Sequence, residues 1–384
     1  MKRIICLMLS VLLILSVTAC GEKETAPSSS AEINSVDTSS TVDESADTSS
    51  IPDTDEAFLE TVTYRDYELT GEKAPCYIGR WFDKKVDGKV HKVTVTDGSM
   101  MYFMVNGADS FTLSFTVTTD DDIPYFAYSI DGSQPIRQLV TDGTVNLPDK
   151  GRHTVRIITD GLTEYVDKWY NELGFALKEV TVSEGGEIIG IRPKNKVIFF
   201  YGDSITEGVC SISKGFFSPN NSATNAFPWF CSEMLGVTPY YVGYSGSGVV
   251  TEGSLRPFEV AINSFSYNFP AKETATPDII LINHGANDAG ASDEAFREGL
   301  ITALDKLRKN YPNIPIVYMI TFGQTKKEVI TEVMKDVENS YIVQTEGWGI
   351  PTNDGYHPTP DGAKNAGERL AMELKYIFGN DFFN

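Results

Sequence analysis

At 384 residues the chain is long enough for two domains with their own cores, and 41% hydrophobic with 11% aromatic side chains is the composition of a globular protein. The 53 acidic residues outnumber the 32 basic ones, giving a formal net charge of −21 spread along the chain. That balance excludes a nucleic-acid partner, whose phosphates would be repelled.

The first segment is not part of a fold. Lys2 and Arg3 precede an apolar run from Ile4 to Val17 that closes on Val17-Thr18-Ala19-Cys20, the layout of an export leader over residues 1–20. The run is shorter than the roughly 20 residues a membrane span needs. Cys20 followed by Gly21 resembles a bacterial lipobox, which implies cleavage before Cys20, acylation of its thiol and a lipoprotein held by its lipid at the outer face of the cell membrane. Residues 21–55 are Ser, Thr, Asp and Glu with almost no apolar side chain, so they are expected to be a disordered tether. Of five cysteines, Cys6 leaves with the leader and Cys20 carries lipid; Cys76, Cys210 and Cys231 show no CxxC spacing and read as small buried side chains.

Residues 56–190 change to short β-rich runs separated by turn signals. HKVTVTD, MMYFMVNG, SFTLSFTVTT, YFAYSIDG and HTVRIITDG alternate with Asp-Gly or Asn-Gly pairs, and Ser110-Phe111-Thr112-Leu113-Ser114-Phe115 has the period of a half-buried strand. A β-sandwich, jelly-roll-like, is expected. The Asp120-Asp121-Asp122 run lacks the spacing of a calcium loop and reads as solvated.

Residues 191–384 read as alternating strands and helices. Apolar strands are expected at 196–201, 239–243, 278–284 and 314–320, with Phe296, Leu300, Ile301, Leu304 and Leu307 at helical spacing between the last two. Such a pattern implies a parallel sheet covered on both faces, with ligands beyond the carboxyl ends of its strands. Four polar loop tips fall at those ends or close to the last helix: Gly202-Asp203-Ser204, Tyr244-Ser245-Gly246-Ser247-Gly248, Gly285-Ala286-Asn287-Asp288 and Asp354-Gly355-Tyr356-His357.

A serine hydroxyl at a strand end needs a base, and there are four histidines. His91 and His153 fall inside strand patterns. His284 ends the third strand, a place for a structural or substrate-contacting residue. His357 precedes Thr359, a capping residue, and Pro360, which suits a first helical position; Leu370, Met372 and Leu374 would supply that helix's apolar face. Asp354, three residues before His357, is placed to accept from its Nδ1. The glycine-rich turn around Gly246 and the amide of Asn287 are candidate donors to an anionic oxygen. Neither Ser245 nor Ser247 is centred in a Gly-x-Ser-x-Gly turn, so they are weaker nucleophile candidates. Trp229, Tyr241, Tyr244, Phe216 and Phe217 could stack on a ring-shaped substrate but read mostly as core or rim, and Trp348, in the loop before Asp354, is the aromatic singled out as a substrate contact, with His284 beside it as a candidate.

Gly202-Asp203-Ser204-Ile205-Thr206, the Gly246 turn, Gly285-x-Asn287-Asp288 and Asp354-x-x-His357 look like the four sequence blocks of the SGNH (GDSL-type) hydrolases. The resemblance implies a flavodoxin-like α/β/α fold with Ser204 as nucleophile, His357 as base, Asp354 as its orienter, and Ser204 N–H, Gly246 and Asn287 as the oxyanion hole. The preceding sandwich, with Gly79-Arg80-Trp81 near its start and Gly151-Arg152-His153 near its end, is similar to the two-domain acetyl esterases of carbohydrate esterase family two. Together the two resemblances imply an extracellular serine esterase that deacetylates polysaccharides or oligosaccharides, acetylxylan-esterase-like, through an acetyl-enzyme, with no metal or other cofactor. A lipid-directed esterase and a non-catalytic glycan-binding lipoprotein are the alternatives.

Overall fold

The computed structural model describes residues 67–116, 122–140, 143–254 and 256–384. The leader, the lipidation site at Cys20, the tether, and Asp120 and Asp121 lie outside the described residues. No described helix is long and apolar enough to cross a membrane.

From Tyr67 to Pro193 the described residues build β-structure. Its strands are β1 (Tyr67–Leu69), β2 (Cys76–Ile78), β3 (Phe82–Val86), β4 (Lys89–Thr94), β5 (Met100–Asn106) and β6 (Ser110–Thr116). After these come β7 (Tyr125–Ile130), β8 (Ile136–Leu139), β9 (Thr144–Asn146), β10 (Arg152–Gly161), β11 (Phe175–Val182) and β12 (Glu187–Pro193). They build two antiparallel sheets, one in the order β1-β12-β5-β10-β7-β8 with β2 also paired to β5, the other β3-β4-β11-β6-β9. The expected domain boundary at 190 falls inside β12, whose pairing with β1 runs on to Pro193.

The run Met100-Met101-Tyr102-Phe103-Met104-Val105 is apolar throughout because β5 is buried on both faces. Met101, Phe103 and Val105 meet Phe111, Leu113, Phe175 and Leu177 of the second sheet. Met100, Tyr102 and Met104 point the other way, into a core that includes Phe199, Tyr201, Trp229 and Tyr240 of the following domain. A strand's period of two sends alternate side chains to opposite faces, so both faces of this sheet carry a core. Polar anchors cross the same seam. Arg80, fully buried, reaches Glu273 at 3.0 Å and the Tyr244 hydroxyl at 3.2 Å, and Arg156 pairs with Glu233 at 2.9 Å above the Trp229 ring.

The second domain holds five parallel strands, β13 (Val197–Gly202), β14 (Thr238–Gly243), β15 (Ile279–Asn283), β16 (Ile316–Met319) and β17 (Ser340–Val343). Their order is β14-β13-β15-β16-β17, so the chain moves off β13 in opposite directions and the strand order reverses there. Its helices are α1 (Ser204–Glu207), α2 (Phe227–Leu235), α3 (Phe258–Ala261), α4 (Asp293–Asn310), α5 (Lys327–Met334) and α6 (Pro360–Phe378). One sheet face packs Phe296, Leu300, Leu304, Ile330 and Val333 from α4 and α5. The other packs Phe227, Cys231, Leu370 and Leu374 from α2 and α6. Two apolar residues assigned to helix cores from sequence face solvent instead: Ile301 is 45% and Met372 54% exposed, while Ala303 and Ala371 take the buried places.

Candidate active site

Strand β13 releases the chain at the point where strand order reverses, the place where parallel sheets open a crevice. Gly202 is obligatory there, since a Cβ would lie 2.0 Å from Thr206 Oγ1. Asp203 then caps α1, its Oδ1 accepting from the Ile205 N–H at 3.0 Å. Burial pushes the Asp203 carboxyl up to about 7, with the nearby Asp288 charge adding to the effect. Ser204 is the first helical residue, so its N–H is one of the donors a helix cannot satisfy internally. Gly208, at φ 96°, ends the helix after a single turn.

The loop before α6 is closed by backbone pairing. Thr352 bridges Pro358, and the Asn353 N–H donates to the His357 carbonyl at 2.8 Å. Gly355, at φ 96°, supplies the left-handed turn that lets Asp354 fold back. One Asp354 oxygen accepts from the Tyr356 and His357 N–H groups at 3.0 and 2.8 Å, and the other lies 2.7 Å from His357 Nδ1. Burial works against the charge on Asp354, but these backbone and imidazole bonds outweigh it and hold the carboxyl below its ordinary range. Thr359 caps α6 through the Gly362 N–H, with Pro360 at the first turn. Asn353 Nδ2 donates to the Cys210 carbonyl at 2.6 Å, tying this loop to the segment after α1. His357 Nε2 lies 2.8 Å from Ser204 Oγ, and residues 153 apart in sequence meet.

The other two loop tips follow β14 and β15, the strands on either side of β13. Gly246 holds φ 72° in the turn after β14. Asn287 lies in a short 3-10 turn and donates through Nδ2 to the Ser247 carbonyl at 3.0 Å, which fixes its carboxamide against the Gly246 turn. Beside it, the fully buried Asp288 carboxylate accepts from the N–H groups of Val249, Val250 and Thr251 at 2.8 to 3.1 Å and from the Thr251 hydroxyl at 2.9 Å. Asp288→Ala leaves three amides without their acceptor, that of Val249 buried and those of Val250 and Thr251 part-buried, at about 1–3 kcal/mol for each group left unsatisfied. A fall of at least about 3 kcal/mol in unfolding free energy is expected, read as a lower urea midpoint.

Both residues considered as substrate contacts are buried, and His284 takes the structural of the two roles expected for it. His284 is 2% exposed and lies against the Phe258 ring at 4.5 Å, with its backbone carbonyl accepting from the Tyr318 hydroxyl. Burial pushes its imidazole down to about 4, so it is a neutral core residue. Trp348 is 9% exposed, packed on Phe322 with the Arg369 guanidinium over its ring. The exposed aromatic side chains near His357 are others. Phe216 meets the His357 ring edge-on at 6.5 Å, Phe217 meets Tyr165 at 4.8 Å, and Tyr356 is 73% exposed. Tyr165 comes from the loop joining β10 to β11, which no local pattern ties to a site in the other domain. Trp229, Tyr241 and Tyr244 are core residues.

Cys210 Sγ, Asp354 and His357 offer donor atoms within 4.8 Å of one another. The thiol already donates to the Gly215 carbonyl and Nδ1 is taken by Asp354, so the arrangement serves hydrogen bonding as it stands.

Known proteins share both parts of this architecture. The family model of the GDSL-like lipase/acylhydrolases matches residues 200–365. No curated protein matches the sequence. A family two carbohydrate esterase from Clostridium thermocellum, solved in complex with cellohexaose, superposes with a TM-score of 0.62 at 19% identity, covering 80% of this chain and 100% of that one. The family two carbohydrate esterase from Cellvibrio japonicus gives 0.64 at 16% identity over 83% and 98% of the two chains. An acetyl xylan esterase from Butyrivibrio proteoclasticus gives 0.63 at 16% identity over 84% and 98%. Ser204, Asn287 and His357 all lie inside the segment that matches the GDSL-like lipase/acylhydrolase model, in a chain that shares its fold with the family two carbohydrate esterases.

Proposed function

We propose that the chain is a serine esterase that removes O-acetyl groups from polysaccharides or oligosaccharides, working outside the cell from a lipid anchor at Cys20. The observation that carries this reading is the hydrogen-bonded series Ser204 Oγ, His357 Nε2, His357 Nδ1 and Asp354 Oδ2 at the strand-order reversal. The order β14-β13-β15-β16-β17 supports a flavodoxin-like reading of this sheet, and the paired antiparallel sheets before it support a jelly-roll-like sandwich.

In the reaction, Ser204 Oγ attacks the acetyl carbonyl as His357 Nε2 takes its proton. The carbonyl oxygen becomes an oxyanion facing the Ser204 and Gly246 N–H groups and the Asn287 amide. His357 returns the proton to the departing sugar oxygen, leaving an acetyl ester on Ser204. Water then gives a proton to His357 Nε2 and attacks that ester, and as the acyl–Oγ bond breaks His357 returns the proton to Ser204 Oγ, releasing acetate and the free serine. Asn287→Ala is expected to lower kcat by roughly 100-fold to 1,000-fold with KM little changed, measured in steady state on a small acetyl ester.

Support for a carbohydrate substrate comes from the neighbours solved as carbohydrate and acetyl xylan esterases and from the exposed rings of Tyr165, Phe216, Phe217 and Tyr356, which are suited to stacking on a pyranose face. Hydrolysis rates on acetyl, butyryl and octanoyl esters, and acetate release from acetylated xylan, test the reading. Acetyl preference with acetate release supports it; octanoyl preference would turn it to a lipid-directed esterase.

A further inference from the structure

The loop between β10 and β11 does more than line the rim. It drives Lys168, fully buried, beneath the active site, where Nζ meets Glu207 at 2.5 Å and Glu164 at 2.6 Å. Glu207 is itself fully buried and closes α1, the one-turn helix that begins with Ser204. Its second oxygen accepts from the Ser245 N–H at 2.8 Å, immediately before Gly246. The lysine of the β-domain is therefore connected to the backbone of the Gly246 turn through a single carboxylate, and that carboxylate belongs to the helix that carries the nucleophile.

We propose that Lys168 and Glu207 are positioning residues that hold the Gly246 N–H on the oxyanion side of Ser204, so that the β-domain completes the esterase site of the other domain. The inference rests on the esterase reading above. The chain has reason to build this link. Burial pushes the Glu207 carboxyl well up, and Glu164 and Asp97 add to the rise. Lys168 opposes that rise; burial disfavours its charge as well, but the surrounding carboxylates hold it above its ordinary range. A buried ion pair of this kind gives little net stability, and its best-attested use is to fix one arrangement. Here the arrangement fixed is a donor turn whose displacement by ~1 Å is enough to cost about 100-fold in rate.

Two variants test it. Lys168→Met removes the cation, while Glu207→Gln is isosteric and can keep the contact to Lys168 or to Ser245 but not both with the right polarity. Both are compared with the parent on an acetyl ester and on its thionoacetyl analogue, whose sulfur accepts hydrogen bonds weakly. The expected result is a fall in kcat of about 10-fold to 100-fold with KM within about threefold, and a matching fall in the preference for oxygen over sulfur. A general loosening of the fold would lower both esters alike. Should Lys168→Met not fold, shown by its thermal melt, Glu207→Gln decides alone. An unchanged kcat or an unchanged oxygen-to-sulfur preference in a folded variant would overturn the proposal and leave the esterase reading standing; a parent inactive on every ester would take down both.

Discussion

Ser204→Ala is expected to lower kcat on an acetyl ester by at least about 10⁴-fold while the protein stays folded. The substitution removes the oxygen that attacks and leaves His357 Nε2 without its partner at 2.8 Å. It disturbs little else, since Ser204 is 8% exposed at the start of a helix whose cap is made by Asp203. On the proposed mechanism, what remains is the rate that oxyanion donors at Gly246 and Asn287 give to water attack. Because serine and histidine act as one unit, His357→Ala should cost a similar factor, and the double variant should be no slower than either single one. Steady-state rates on the three proteins, with thermal melts beside them, check both statements. Additive losses would mean that Ser204 and His357 act in separate steps.

How much of the site is legible in the sequence depends on how local each cause is. The Val197–Tyr201 run announces β13 because a strand buried on both faces must be apolar at every position, and Gly202-Asp203-Ser204 announces its end because a glycine and a capping aspartate mark a sharp exit. Thr359 and Pro360 place the start of α6, and with it His357, for the same kind of reason. All of these causes lie within a few residues of their effect.

The misses have long-range causes. Trp348 is expected at the substrate because an aromatic side chain sits in the loop before Asp354, but Phe322 and Arg369, from two other segments, cover it. His284 lies just past a strand end and could have faced outward; Phe258 and the Tyr318 hydroxyl take it into the core. Tyr165 and Lys168 reach the site from the loop after β10, and nothing in their own neighbourhood states that this loop crosses to the other domain. One signal is present in the sequence. The unbroken apolar face of β5, with Met100, Tyr102 and Met104 behind Met101, Phe103 and Val105, requires a second cover for that sheet, and the hydrolase domain supplies it.

Asp354→Asn is the sharper test of the site because it alters one proton. The asparagine oxygen can still accept from the Tyr356 and His357 N–H groups, as Asp354 does at 3.0 and 2.8 Å, so the loop should keep its shape. Its NH₂ then faces His357 Nδ1 in place of the oxygen at 2.7 Å, and Nδ1 must accept. The ring proton moves to Nε2, which now donates towards Ser204 and has no lone pair to take the serine proton. A fall in kcat of about 10⁴-fold is expected, as for the same exchange in other serine, histidine and aspartate sites. A second consequence concerns acid stability. The Asp354 carboxyl is held below its ordinary range, so its contribution to stability is present above an unfolded value of about 3.9 and is lost as pH falls through the lower folded value. Asp354→Asn should remove that acid-side loss from the pH profile of the urea midpoint and leave the profile above about pH 5 unchanged in shape. A loss in kcat smaller than about tenfold, in a protein with that altered acid limb, would mean that Ser204 and His357 work as a pair and that Asp354 serves the loop rather than the imidazole.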